Sequence, residues 1–280
     1  MKVLVNSLVG VADLHVGCQL GLCPAKAVKL DEGGHYRPNS FQRKLWRWWR
    51  EFWTEWVPAV TRGEPFGVVV NGDAIDGRHH GAVTQWTQNL ATQVRVAYDI
   101  LAPIVDVCEG RFWLIRGTTA HTGPSSESEE ALAKALGAIP NKEGQYARYE
   151  LWKYIGAHKE ILTHWLHHIG TTSSASYEST AVHKELVEAY QEAGRWGHRP
   201  PDMIIRAHRH RDFQTQVRTA RGRGIAMVLA GWQGKTPFTY STAIARQAVP
   251  QFGGRLLRLS EEGEMYTREK VWELQRAAPE

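Results

Sequence analysis

The sequence predicts an α/β fold of one domain containing two packed sheets. In the first half, short wholly apolar runs alternate with helical stretches, and each run ends in polar residues. In the second half, several apolar stretches follow one another with turns between them, as antiparallel strands do. No linker, internal repeat or low-complexity tract divides the 280 residues, a length that can bury one large core.

Each element has its own signal. The run from Val3-Leu4-Val5 to Leu8-Val9 reads as the first buried strand, and Val11 to Gly17 (Val-Ala-Asp-Leu-His-Val-Gly) closes it. Residues Cys18 to Arg37 are rich in Gly, Pro and Lys and read as a surface loop. Asn39 or Ser40 then caps a helix from about Phe41 to Val57, ended near Pro58. Its spacing puts Leu45, Trp49, Phe52, Trp53 and Trp56 on one face, with Trp46 and Trp48 outside the stripe. Phe66 to Val70 is a second buried strand, closed by Asn71-Gly72-Asp73-Ala74-Ile75-Asp76-Gly77. A loop with His79 and His80 leads to a helix from about Thr84 to Val107. Arg111 to Ile115 is a third strand, and Ser126 with Glu129 resembles a capping box for a helix through Leu136.

Tyr146 to Ile155 and Lys159 to His167 read as a hairpin turning near Gly156. Glu178 to Ala193 is a helix, and Pro201 to Ala207 a buried strand ending in His208-Arg209-His210. Phe213 to Thr219, Ile225 to Ala230, Gly254 to Leu259 and Met265 to Trp272 read as antiparallel strands. Residues 212–280 are expected to complete the second sheet. Gly231-Trp232-Gln233-Gly234 reads as a tight turn or a substrate loop.

Composition narrows the function. Hydrophobic content of 42% and charged content of 22% are ordinary for a soluble protein, and no apolar run is long enough to span a bilayer. Asn6 and Asp13 interrupt the N-terminal apolar stretch, so no signal peptide is read, and a cytoplasmic location without membrane partners is expected. The three cysteines, Cys18, Cys23 and Cys108, form no disulfide framework, although Cys18 and Cys23 near His15 leave a zinc knuckle open. A net charge of +5 suits an acidic partner, a phosphoester or nucleic acid. Thirteen histidines invite a search for metal clusters.

That search finds Asp13 and His15, then Asp73, then His167 or His168, then His208 and His210, each group after a predicted strand. Residues two apart on an extended backbone project from the same face, so Asp13 with His15, and His208 with His210, are expected to point together. Imidazoles mixed with carboxylates suit zinc, manganese or iron rather than magnesium or calcium. So many ligands exceed the need of one tetrahedral ion and fit two divalent ions sharing a carboxylate.

The ordered set resembles the calcineurin-like metallophosphoesterases. The motifs are Asp13-Leu14-His15, Gly72-Asp73-Ala74-Ile75-Asp76, Gly117-Thr118-Thr119-Ala120-His121, His168 and His208-Arg209-His210, spanning residues 1 to about 211. The resemblance implies a four-layer α/β/β/α sandwich with two central mixed β-sheets and metals held by loops at one edge. It implies that Asp13, His15 and His210 hold one metal, that His168 and His208 hold the other, and that Asp73 bridges them. His168 is preferred to His167 because it precedes Ile169-Gly170, as the family's His usually precedes a Gly. Asp76 would orient a ligand or steady its turn. The chain departs from the family at its third motif, usually Gly-Asn-His-Asp or Gly-Asn-His-Glu. Here the Asn is missing and His121 lies two places further from Gly117, so Thr118, His121 or a water takes the vacant position.

The reaction implied is hydrolysis of a phosphoester, with a water activated between the metals attacking phosphorus in line. His121 and Asp73 are the expected catalytic residues, His121 standing near the leaving group. Arg116, Arg209 or Arg211 would clamp a phosphoryl oxygen. The substrate class expected is a phosphodiester or nucleic acid, from the basic charge, the arginines of Arg206 to Arg223 and aromatics able to stack on bases. A phosphomonoesterase and a non-catalytic metal-binding module are the alternatives.

Overall fold

Ser7–Val11 (β1) is buried at every position, as a strand covered on both faces must be. The computed structural model describes residues 5–79, 81–158, 160–170, 175–220, 222–241 and 249–274; Val3, Leu4, His80, Lys159 and Arg221 lie outside them. A small ribbon, β2 (Val28–Lys29) and β3 (His35–Tyr36), sits in the loop after β1. Next comes α1 (Ser40–Glu51), capped by Asn39, whose side chain accepts from the Gln42 amide while Gln42 answers to the Asn39 amide.

The helix does not stop at Pro58. It passes through a π turn at Phe52–Trp56 into α2 (Val57–Thr61), and Pro58 falls on the first turn of that last segment, where its missing N–H costs nothing. Trp48, expected outside the apolar stripe, is buried because Trp272 stacks on it at 5.8 Å and Phe252 lies 5.6 Å away.

Then follow β4 (Gly67–Asn71), α3 (Leu90–Val107), β5 (Phe112–Ile115), α4 (Thr119–Thr122), α5 (Glu127–Ala135) and β6 (Ala147–Arg148). The α3 helix starts later than Thr84 because Asn89 caps it, accepting from Thr92, while the Gln19 and Trp86 amides tie residues 84–86 to the β1 loop. The expected capping box on α5 does not form: Ser126 is left-handed without a side-chain cap bond, and Glu129 turns inward. The second half holds β7 (Glu150–Ile155), β8 (Ile161–Leu166), α6 (Glu178–Trp196), β9 (Met203–Arg206), β10 (Phe213–Thr219), β11 (Gly222–Val228), α7 (Pro237–Ser241), β12 (Gln251–Leu259) and β13 (Met265–Glu273).

Two mixed sheets result, ordered β13-β12-β1-β4-β5-β6 and β10-β11-β9-β8-β7. In the first, β1, β4, β5 and β6 are parallel, and in the second, β8, β9 and β11 are. Alternation along the strands sorts the core into three layers. Val9, Val11, Val68 and Val70 face α1, α3 and α5. Leu8, Val69 and Trp113 meet Trp165, Ile205 and Met227 between the sheets. Ile204, Ala226 and Val228 face Val182 and Leu186 of α6. The fold is a four-layer α/β/β/α sandwich. One expectation fails: among the described residues of 212–280, β10 and β11 join the second sheet, whereas β12 and β13 extend the first. β12 is buried along almost its whole length and pairs antiparallel with β1, covering an edge that would otherwise be open.

Candidate metal centre

The groups picked out by sequence lie at the carboxyl ends of parallel strands. Asp13 and His15 follow β1, Asp73 follows β4, Thr118 follows β5, His167 follows β8, and His208 and His210 follow β9. Their convergence does not come from extended backbone. Asp13 (φ 55), His15 (φ 46), Asp73 (φ 50), His208 (φ 73) and His210 (φ 52) are all left-handed, a conformation that costs an L-residue about 1–2 kcal/mol. Residues held in this conformation persist only where their surroundings fix them.

The turns are held by backbone pairing that continues past the strands: the Asp13 amide donates to Gly72 at 3.0 Å and the His15 amide to Asp73 at 3.0 Å. From the β11 side, the Trp232 amide donates to Asp13 at 2.9 Å. Two glycines permit the close approach. A methyl at Gly72 would lie 2.6 Å from His167 Cγ, and one at Gly117 would lie 2.8 Å from Asp73 Cγ.

Hydrogen bonds fix the ring nitrogens. His15 Nδ1 donates to Asp76 Oδ1 (3.2 Å), His167 Nδ1 to the Asn71 carbonyl (2.6 Å), and His121 Nδ1 to the Asp76 carbonyl (2.8 Å). Each therefore turns Nε2 toward one atom, Asp73 Oδ2, at 3.9, 3.1 and 4.0 Å respectively. The other oxygen, Oδ1, is taken by the Thr118 amide at 2.7 Å. Rings anchored at Nδ1 and presenting Nε2 are arranged as ligands are.

Two groups meet at Asp73. Asp13, His15 and His210 form one, with His210 Nε2 at 3.4 Å from Asp13 Oδ1 and 3.2 Å from His15 Nε2. Asp73, His167 and His208 form the other, and Thr118 Oγ1 stands beside it, 3.3 Å from Asp73 Oδ2 and 3.1 Å from His208 Nδ1. The buried histidine here is His167 rather than the expected His168. His168 is exposed at the rim, its ring 4.7 Å from that of His208. The strand's own alternation carried the signal, since Thr163 and Trp165 point inward from β8 and His167 continues their face.

A third group, His15, Asp76 and His121, reads as a positioning hub. Asp76 accepts from His15, Gln85 (2.9 Å) and Gln233 (3.2 Å), so its oxygens are engaged in orienting side chains. Gln233 thus holds Asp76 from the loop that follows β11.

Burial opposes ionisation of Asp13 and Asp73, yet neighbouring imidazoles outweigh it: His210 and His167 for Asp13, and His167, His121 and His15 for Asp73. Both carboxyls lie below the usual range. Burial alone would lower His167, but Asp73 and Asp13 push it up to about 10. His208 and His121 go down to about 4 through burial and their neighbours His167 and His15. The buried carboxylates thus require positive charge among them. Asp13 Oδ1 and His167 Nε2, both buried, make no well-aligned hydrogen bond, and their near contacts are the ion pairs to His210 (3.4 Å) and Asp73 (3.1 Å). A nitrogen–carboxylate donor set with such atoms facing inward fits divalent zinc, manganese or iron.

The expected arginine clamps are committed elsewhere. Arg116 bonds Glu130 and the Ala147 carbonyl, Arg209 the Gly170 and Glu178 carbonyls, and Arg211 Glu178. Cys18 and Cys23 are buried free thiols, raised to about 11 and about 12 by burial, and belong to none of the metal groups among the described residues. The two thiols therefore form no zinc knuckle with His15 among the described residues. Glu129 was missed because it reads as a helix cap. It is fully buried, and burial followed by Asp73 raises it to about 7.

No protein-family model matches the chain, and no curated protein does. Among solved structures it is similar to a phosphatase from Mycoplasma pneumoniae, with 8% identity, a TM-score of 0.43 and coverage of 98% of this chain and 95% of that one. It is also similar to Vps29 from Chaetomium thermophilum, with 9% identity, 95% and 98% coverage and a TM-score of 0.39. Sulfate thiohydrolase SoxB from Thermus thermophilus follows at 12% identity, 98% and 57% coverage and a TM-score of 0.38. Overlaps this loose carry no argument about activity, and the architecture stands on the strand order and layers above. No helix among the described residues is long and apolar enough to cross a membrane.

Proposed function

We propose that this chain is a metal-dependent phosphoester hydrolase of the calcineurin-like kind, acting on phosphodiesters with two divalent ions. The observation that carries the reading is the convergence of His15, His121 and His167 Nε2 on Asp73 Oδ2, between two groups of His and Asp ligands. Asp13, His15 and His210 would hold one ion. Asp73, His167 and His208 would hold the other, with Thr118 Oγ1 in the place of the family's Asn. Asp73 would be shared. Such a pair supplies charge that polarises a phosphoryl oxygen and acidifies water.

The rest is done by the chain. Asp73 is oriented by the Thr118 amide, so that one oxygen faces both groups. His121, largely buried and donating from Nδ1 to the Asp76 carbonyl, presents a free Nε2 lone pair that can take up the proton of the attacking water and pass it to the departing alkoxide. The commitment of Arg116, Arg209 and Arg211 favours a singly charged diester over a doubly charged monoester, which needs an added cationic clamp. Within the stretch from Arg206 to Arg223, Arg206, Arg209, Arg211 and Arg223 are bonded to other parts of the chain, and Arg218 is exposed.

The test is metal analysis with turnover of bis(p-nitrophenyl) phosphate, p-nitrophenyl phosphate and single-stranded DNA in added manganese. Two equivalents of metal and turnover of the diester above the monoester are expected, with Asp73→Asn lowering kcat by roughly 10²–10³-fold. Protein that binds no metal, or an unaffected Asp73→Asn, overturns the proposal. Monoester turnover alone overturns its substrate class.

A further inference from the structure

Glu129 is a fully buried carboxylate placed in neither metal group, and it touches both of the loops that meet at Asp73. Its Oε1 accepts from the Ala74 amide at 2.9 Å and its Oε2 from the Gly117 amide at 2.7 Å. Ala74 follows Asp73 in the chain, and Gly117 precedes Thr118. Thr118 in turn donates its amide to Asp73 Oδ1 at 2.7 Å. The four segments close a ring: α5 carboxylate, β4 loop, Asp73 carboxylate, β5 loop.

The ring decides which way Asp73 faces. With Oδ1 held by Thr118, only Oδ2 is left for His15, His121 and His167. Asp73 sits at φ 50, so its turn needs outside support to persist. The neighbouring acid, Glu130, is engaged away from the site, where it bonds Arg116 and the Tyr146 and Ala147 amides. We propose that Glu129 is a positioning residue that clamps the β4 and β5 loops together and so aims Asp73 Oδ2 and Thr118 Oγ1 at the second metal group. This rests on the metal reading above.

Glu129→Gln separates the roles. A carboxylate accepts from both amides, whereas an amide side chain sets its own N–H₂ against one of them. Apoprotein is titrated with manganese by calorimetry, and spin coupling between bound ions is read by electron paramagnetic resonance. Wild type is expected to bind two coupled ions. Glu129→Gln is expected to keep one site within about threefold and to weaken the other by roughly 10–100-fold, with loss of the coupled signal. Glu130→Gln, which also disturbs two backbone amides, is expected to leave both sites within about threefold even where melting falls equally.

Two normal, coupled sites in Glu129→Gln, or equal weakening in Glu130→Gln, overturns the clamp and leaves the metal reading standing. Wild-type protein that binds no manganese overturns both. If Glu129→Gln does not fold, Glu129→Asp decides. It keeps both acceptor oxygens one methylene short, and the same selective weakening of one site is expected; unchanged binding overturns the clamp.

Discussion

Gly117→Ala tests the central contact of the site with a single methyl. The backbone at Gly117 is not among the positive-φ positions, so alanine meets no conformational barrier there and any effect is steric. The added carbon would lie 2.8 Å from Asp73 Cγ, and nearer still to the Asp73 amide and Oδ1. Relief requires the β5 loop or Asp73 to move by roughly 1 Å, a displacement that costs about 10²-fold in rate when it falls on a reacting centre. That is about 2.7 kcal/mol of transition-state stabilisation. Overpacking adds a stability loss of about 1–3 kcal/mol. The assay is kcat/KM for bis(p-nitrophenyl) phosphate with manganese, beside calorimetric metal titration and thermal melting. Gly194→Ala on α6 is the control: nothing lies within 4 Å of its added carbon, and about 0.5–1 kcal/mol of stabilisation is expected. Turnover and metal affinity within threefold of wild type in Gly117→Ala would show that Asp73 does not depend on this contact.

Three other outcomes are expected. His167→Ala should abolish one metal equivalent while exposed His168→Ala changes stability by less than about 0.5 kcal/mol and keeps both, and the reverse pattern would restore His168 as the ligand. Manganese at about 100 times its Kd should stabilise the protein by about 2.7 kcal/mol, read as a rise in Tm that Asp73→Asn diminishes; an unchanged Tm counts against the site. Away from the metal centre, burial first and then Arg206 hold His164 down to about 4 from 6.5. The unfolded chain therefore takes up a proton that the folded chain refuses, and stability falls as pH drops from 6.5 to about 4, by up to about 3 kcal/mol. In His164→Gln the chemical-denaturation slope across that window should flatten, and an identical slope would contradict the assignment.

The residue order made much of the site legible. Polar residues after wholly apolar strands located Asp13, His15, Asp73, His208 and His210, because a buried parallel strand has few other reasons to end in Asp and His. The reason for their convergence was not legible, since left-handed turns at non-glycine residues have no local signature. The choice of His168 followed the motif's Gly when the alternation of β8 favoured His167. Glu129 was hidden by its resemblance to a capping residue: its partners Ala74 and Gly117 are distant in the chain, and only the folded sheet brings them to it. The placement of β12 and β13 was illegible for a similar reason, because an antiparallel strand can pair with either sheet's open edge.

The pairing of β12 with β1 has a consequence for how the protein is made. Asp13, on the β1 loop, leaves the ribosome before His210, the last of the ligand candidates, and His210 well before Gln251. The Gln251 amide nevertheless bonds the His210 carbonyl at 2.9 Å. At about 5–20 residues per second, the chain between His210 and the end of β13 takes roughly 3–13 s to appear. During that interval every candidate ligand exists, yet β1 has an unpaired edge and the His210 turn lacks its tie. If the site takes up metal, it is complete for doing so only after synthesis has passed β12, and a nascent chain stalled before it carries both an unfinished site and an open strand edge.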